Sequence, residues 1–252
     1  MAKTEIKSDA VIHDSFNVTD IFLGQVAHDF GNILMPLLTY PQLLRMSMDA
    51  DSPDIDLVEG IEQASSDIEH ITRQIAALST RNLDPMRQLE LSKMAVKALE
   101  AVKSRVDATG VHVELHASAE PVMVNGYADQ LQAAIANLIT NAADAAPGGR
   151  IDIEVGNMEI DADRKVATGE FMPAGRWCFV SVKDNGSGLD AEAAAEVFSP
   201  FYTTKKGQRP RGAGLGLCVV YRTQHLHNGF VDCSSVPGEG SCFSLYYPDN
   251  GS

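Results

Sequence analysis

Two stretches of different periodicity divide this chain, and together they predict an α-helical hairpin followed by an α+β two-layer sandwich. Up to about residue 80, apolar residues recur at three- and four-residue steps, the pattern of amphipathic helices. Beyond that point, short alternating stretches typical of strands interleave with helical ones, without the regular strand–helix–strand order of a parallel fold. The expected organisation is a flexible segment over 1–16, a helical hairpin over 17–82 and a mixed domain over 83–252.

Residues 1–16 are polar and aperiodic, which reads as a tail. Asn17 is a good N-cap, and Asp20 follows where a carboxylate suits the positive end of a helix. Phe22, Val26, Phe30, Ile33, Leu37 and Leu44 then trace one apolar stripe, with Pro36 expected to kink or weaken a turn. Residues 49–53 read as a turn into a second helix, with Ser52 as N-cap and Pro53 in the first helical position. A second stripe runs through Val58, Ile61, Ala64, Ile68, Ile71, Ile75 and Leu78. One hairpin buries neither stripe well, whereas two hairpins make a four-helix bundle, so the pattern predicts a homodimer.

In the mixed domain, helices are expected over 92–108, with Ser92 as cap and Gly110 as stop, over the Ala- and Leu-rich 128–145, and over 190–197 and 215–226. Strands are expected over 111–116, 122–124, 151–155, 177–183, 230–234 and 242–247.

Acidic residues outnumber basic ones by 34 to 20, a formal charge of −14. Such a surface repels nucleic-acid phosphates and anionic bilayers, which argues against partners of either kind. Cys178, Cys218, Cys233 and Cys242 lack metal-ligand spacing and stand in apolar or Gly-rich stretches, as reduced thiols do. The first twenty residues lack the apolar core of a signal peptide, and Pro36 and Pro41 break the most apolar stretch, so a cytoplasmic chain without a membrane span is expected.

Four short patterns follow one another in the mixed domain. Asn137-Leu-Ile-Thr-Asn141 places two amides on one face of a helix, where their oxygens can serve Mg²⁺. Asp184-Asn-Gly186-Ser-Gly188 follows a strand, so its acid can accept a hydrogen bond from an exocyclic amine while its glycines admit a ligand to the backbone. Phe198-Ser-Pro200-Phe201-Tyr-Thr203-Thr204-Lys205 joins an aromatic anchor to a loop of hydroxyls and lysines. Gly212-Ala-Gly214-Leu215-Gly216 opens a helix whose N–H groups suit phosphate oxygens.

In this order and spacing the four patterns resemble the N, G1, F and G2 boxes of the GHKL ATP-binding fold of sensor histidine kinases, and Gly238-Glu-Gly240-Ser-Cys-Phe243 resembles its closing turn. The resemblance covers roughly residues 20–248. It implies that Asn137 and Asn141 hold Mg²⁺, that Asp184 reads adenine, and that Gly212, Gly214, Leu215 and Gly216 cradle phosphates. Gly186, Gly188, Thr204 and Lys205 complete the implied ATP site, with a lid over about 206–211. Cys218 departs from the Ser or Thr frequent in relatives, and a thiol is the weaker donor.

Two histidines share the pattern His-Asp-x-x-Asn: His13 with Asp14 and Asn17, and His28 with Asp29 and Asn32. His13 precedes the expected helix. His28 lies inside it, rotated about 200° from both Val26 and Phe30, with Asn32 one turn further on the same face. Residues 25–34 also resemble the H box of kinases of the His-Asp-Phe-x-Asn group, whose core reads His-Asp-Phe-Asn-Asn; Gly31, and Pro36 just beyond, depart from it. The implied activity is a protein-histidine autokinase. His28 would receive the phosphoryl group, Asp29 would hold the imidazole proton and Asn32 would serve the reverse dephosphorylation. The implied partner is a response-regulator receiver domain on a separate chain. Two other readings share the motifs: a GHKL-type ATPase, for which Asn137 stands where a general-base glutamate is needed, and a phosphotransfer or scaffold protein with a weakened nucleotide site.

Overall fold

The structure is a computed structural model that describes residues 6–49, 52–77, 85–199, 201–203 and 214–249. The described residues separate into two compact units, one built from the first two helices and the other from the described residues beyond them.

In the first unit, α1 (Ile6–Ser47) and α2 (Ile55–Ala77) form the hairpin. α1 begins eleven residues before the expected cap, so Asn17 is an interior helical residue and 6–16 belong to the helix. The physical reason is that no Gly or Pro stands between Ile6 and Leu23, and a capping preference alone does not stop a helix. At the other end, Ser52 and Pro53 precede α2. The Ser52 hydroxyl accepts from the Asp54 N–H at 3.4 Å, as a capping side chain does, while its carbonyl accepts from the Ile55 N–H at 3.2 Å, so a tight turn leads into the helical bonds that begin at the Asp54 carbonyl.

The seam between these helices differs from the apolar stripes. Ala27, Leu34 and Pro41 on α1 and Val58, Ser65 and Thr72 on α2 are buried, at seven-residue steps. Phe30, Ile33, Leu37 and Leu44, with Ile61 and Ile68, stay exposed. Small and polar residues let the two backbones approach while the large apolar ones face outward. Pro41 has no N–H, so the Leu37 carbonyl loses its helical donor. Ser65, 2% exposed, supplies a replacement across the hairpin: its hydroxyl lies 3.0 Å from the Leu37 oxygen and 2.7 Å from that of Ile61.

The second unit begins with β1 (Arg87–Glu90), α3 (Leu91–Ala108), β2 (His112–Ala117), β3 (Met123–Gly126), α4 (Ala128–Ala145) and β4 (Arg150–Ile160). It continues with β5 (Arg164–Lys165), β6 (Phe171–Met172), β7 (Gly175–Asp184), α5 (Ala191–Glu196), α6 (Gly216–Leu226), β8 (Phe230–Val236) and β9 (Gly240–Pro248). Glu90, not Ser92, holds the N-cap position of α3, and the Ser92 hydroxyl donates to the Glu90 carboxylate at 2.8 Å.

A five-stranded sheet runs in the order β2-β4-β7-β9-β8, parallel only between β2 and β4. β1 pairs with β3, and β5 with β6, as separate two-stranded ladders. One face of the large sheet (Ile151, Ile153, Val180, Val182, Leu245, Tyr247) packs with Leu91, Leu131, Ile135, Leu138 and Val220 from the helices in a single core. This is the two-layer α/β sandwich expected. The other face is polar along much of its length. The β5–β6 excursion covers part of it, where Met172, Trp177, Tyr246 and Phe230 cluster.

His227, buried after α6, fixes that helix against the entry to α4. Its Nε2 accepts from the Tyr127 N–H at 3.0 Å, and Nδ1–H donates to the Thr223 carbonyl at 2.7 Å. Accepting at Nε2 needs a neutral ring, and burial holds its pKa below the ordinary value.

The hairpin contact yields a direct test. Ser65→Ala leaves the Leu37 carbonyl without a donor in a buried seam and should cost about 1–3 kcal/mol in denaturant unfolding of the helical unit. In a Pro41→Ala background, where the helical donor is restored, the same substitution should cost clearly less. Equal costs in both backgrounds would remove Ser65 from this role.

Candidate functional site

His28, Asp29 and Asn32 all lie on α1. Asp29 and Asn32 are exposed, while the His28 side chain lies outside the described set. Helical geometry places Asn32 one turn after His28.

In the second unit, the candidate site grows from the end of β7. Asp184 is the last residue of that strand and is 3% exposed, paired in register with Ile151. Its Oδ1 accepts two backbone N–H groups, from Gly186 at 2.8 Å and from Ser241 at 3.3 Å. Burial pushes its pKa above the usual carboxylate value, and the two N–H donors offset this only in part. A carboxylate kept at such a cost in an otherwise apolar sheet end is a recognised mark of a functional site.

The loop after Asp184 is clamped on both sides. The Ser187 N–H donates to the Ala145 carbonyl, in the last turn of α4, at 3.2 Å, and the Ser187 carbonyl accepts from Gly238 at 2.7 Å. A Cβ at Gly186 would strike that same Ala145 carbonyl. Gly240, at φ +112°, lies directly against the Asp184 carbonyl, where no side chain fits. The close approach these glycines permit is therefore first to protein backbone, fastening the acid to α4 and to the β8–β9 turn. Gly188 completes the same loop against Val236.

Asn137 and Asn141 stand one turn apart on α4, both half-buried, while Leu138, Ile139, Ala142 and Ala143 take the core side. Asp144, on the same helix, is tied to Arg105 of α3 at 2.8 Å. Across the domain, Gly214, Leu215 and Gly216 lead into α6. The Gly214 carbonyl accepts from the Phe201 N–H at 2.9 Å, and Leu215 is buried. Phe198 packs edge-on against Phe243, with ring centroids 6.2 Å apart. Thr204, Lys205, Gly212 and the segment 206–211 lie outside the described residues.

The sequence patterns did not single out Ser235 and Ser241 as part of this arrangement. The Ser241 N–H holds Asp184, and its hydroxyl lies 2.9 Å from that of Ser235, which in turn accepts from the Leu189 N–H at 2.7 Å. These residues flank the turn near Gly238 and Gly240, which was the only available signal. The four cysteines are free thiols, and burial raises the pKa of Cys178 to about 11 and that of Cys233 to about 12, so neither is a ready nucleophile.

A mixed sheet backed by helices on one face, with a buried acid at a strand end fastened to an Asn-bearing helix, and a second helix opened by glycines, defines a GHKL-type nucleotide-binding sandwich. The chain belongs to the family described as Histidine kinase-, DNA gyrase B-, and HSP90-like ATPase, whose profile matches residues 126–251. Among curated proteins it is 28% identical over 226 residues to the sensor kinase CckA of Brucella abortus, covering 89% of this chain and 24% of that protein. It is 25% identical over 225 residues to sporulation kinase A of Bacillus subtilis (88% and 33%) and 28% identical over 217 residues to the sensory histidine kinase/phosphatase NtrB of Rhodobacter capsulatus (84% and 58%). The chain thus spans less than two thirds of the length of each of these relatives. Its fold matches that of full-length ShkA in complex with AMPPNP (TM-score 0.68, 19% identity, 91% of this chain and 46% of that one). It also matches the histidine kinase AdeS of Acinetobacter baumannii (TM-score 0.54, 18% identity, 88% and 96%). Among the described residues no helix is long and apolar enough to cross a membrane.

The burial of Asp184 has a measurable consequence. Its folded-state pKa is raised above 3.8, so the folded protein holds a proton the unfolded chain releases, and stability from this group falls as pH rises through that window. Asp184→Asn should therefore make the nucleotide-free domain at least as stable as wild type at neutral pH, with the gain vanishing as pH falls towards 3.8. Thermal unfolding across pH checks this; a variant that is destabilised at neutral pH contradicts it.

Proposed function

We propose that this chain is the core of a protein-histidine autokinase, which phosphorylates His28 from ATP and passes the phosphoryl group to an aspartate on a separate response-regulator receiver domain. The observation that carries the reading is the buried, partly satisfied carboxylate of Asp184. Both of its bonds among the described residues run to Oδ1, which leaves acceptor capacity for an exocyclic amine such as that of adenine.

The residues present fit the implied ligands. Asn137 and Asn141 supply the neutral oxygen donors that would hold Mg²⁺, whose contribution is to offset phosphate charge. The start of α6 offers N–H groups without helical partners for phosphate oxygens, with Gly214, Leu215 and Gly216 at that start and Gly212, Thr204 and Lys205 preceding it in sequence. At His28 one imidazole nitrogen attacks the γ-phosphorus as the bond to ADP breaks, and Asp29 holds the proton on the other nitrogen. The phosphoryl group then moves to the receiver carboxylate, and Asn32 orients water for the reverse, dephosphorylating activity.

The hairpin supports a homodimer. Phe30, Ile33, Leu37, Leu44, Ile61 and Ile68 remain exposed on α1 and α2, more apolar surface than a monomeric hairpin normally leaves in water. A second hairpin would cover it as a four-helix bundle.

Two experiments test these parts separately. With γ-labelled ATP, His28→Gln should abolish acid-labile labelling, His13→Gln should leave it intact, and Asn32→Ala should spare labelling while slowing regulator dephosphorylation. Label lost with His13→Gln and kept with His28→Gln would reverse the assignment. In sedimentation, the wild-type chain should be a dimer and the variant Ile33→Glu with Ile61→Glu a monomer; unchanged dimers would place the interface elsewhere.

A further inference from the structure

The outer face of the β2–β4 edge carries a group of side chains that the nucleotide site does not use. β2 is an edge strand, and His112, Glu114 and His116 project from one of its faces at two-residue steps. Parallel register sets Glu114 against Asp152, and His112 against Arg150, on β4. His112 Nε2 lies 3.3 Å from Glu114 Oε1, and His116 Nε2 lies 3.4 Å from Glu114 Oε2, so two ring nitrogens converge on the two oxygens of one carboxylate. The donor atoms of Glu114, His116 and Asp152 all fall within 4.8 Å of one another. The pairing of β2 with β4 is what brings Asp152 beside Glu114 and His116.

Two carboxylates side by side on adjacent strands repel, and Arg150 offsets this. Its Nη2 lies 3.1 Å from Glu114 Oε2 and 2.7 Å from Asp152 Oδ1, and its hydrogen bond keeps the Asp152 carboxyl below the usual range. With neutral imidazoles, Glu114 and Asp152 against Arg150 leave one negative charge; Lys183, opposite Asp152 in register on β7, offsets it, and Glu154, exposed and opposite His116, restores it. The cluster therefore keeps an excess of carboxylate over the two cations beside it. A four-coordinate zinc ion needs donors about 3.3 Å apart, so closing Glu114, His116 and Asp152 takes a movement of about 1.5 Å, within the rotamer freedom of half-exposed side chains, while His112, held on the other oxygen of Glu114 and outside that set, has further to swing. Mixed imidazole nitrogen and carboxylate oxygen suits zinc and its neighbours in the first transition row, whereas Mg²⁺ prefers oxygen and retained water.

We propose that His112, Glu114, His116 and Asp152 form a binding site for a divalent transition-metal cation of the zinc class, on the sheet face opposite the helices, in competition with Arg150. The site is independent of the nucleotide reading and stands whether or not the chain is a kinase.

The test is calorimetric titration of Zn²⁺ into the tag-free chain with Mg²⁺ in excess, followed by Co²⁺ as a spectroscopic probe. Wild type should bind one Zn²⁺ per chain in the micromolar range. The double variant His112→Ala with His116→Ala should lose more than about tenfold in affinity while keeping its circular dichroism and its Mg²⁺·ATP binding, since both residues are exposed. Arg150→Gln should bind Zn²⁺ as tightly as wild type or more so, because a competing cation is removed. The Co²⁺ complex should show ligand-field bands without the intense charge-transfer band of thiolate ligands. No Zn²⁺ binding, binding unchanged in the double histidine variant, binding lost in Arg150→Gln, or a thiolate band would each overturn the proposal.

Discussion

Asp184 is an anion that the fold buries at the end of β7 and only partly satisfies. Much of the domain around it can be read as the means of tolerating that charge. Two backbone N–H groups meet Oδ1, one from its own loop and one from the start of β9. Those donors reach it only because Gly186 and Gly240 bring backbone against backbone. The same loop bonds to the last turn of α4, so the helix bearing Asn137 and Asn141 is held to the strand bearing the acid. His227 then ties the far end of α6 to the start of α4, fixing the second helix of the site relative to the first. A charge costly to bury is thus surrounded by contacts that also set the positions of the other site residues.

The hairpin follows a different rule. Its internal seam sets Leu34 and Val58 among Ala27, Pro41, Ser65 and Thr72, residues that contribute little apolar area but allow close packing. The larger apolar side chains are turned outward, and Ser65 repairs the hydrogen bond that Pro41 removes. Stability of such a unit depends on what covers the outward stripe, which is the physical basis for reading it as half of a bundle.

Legibility in sequence tracked length and local pattern. α4 was read to its observed ends because a long Ala- and Leu-rich period stops at Ala146-Pro147-Gly148. The five strands of the main sheet were found because each alternates over several residues, with one face in the core. β1, β5 and β6 were not: β5 and β6 have two residues each, and β1, Arg-Gln-Leu-Glu, holds a single apolar side chain, so none shows an alternation to detect. The start of α1 was placed too late because Asn17 resembles a cap, and nothing in the residues before it forbids helix. Within the site, Asp184 and its glycines were legible as a motif, but Ser235, Ser241 and the Ala145 carbonyl were not, because they meet Asp184 and its loop only through strand pairing and helix docking. Asp152 beside His116 was hidden for the same reason, being brought across from β4 by the register.

The central claim is that the nucleotide domain serves the histidine on α1. Its most direct test is incubation of the wild-type chain with γ-labelled ATP and Mg²⁺, followed by proteolysis and mass-spectrometric mapping under conditions that preserve phosphoramidates. The account predicts one phosphorylated residue, His28, with a linkage labile to acid and stable to base. Release of inorganic phosphate with no modified residue, or modification at any other side chain, would contradict it.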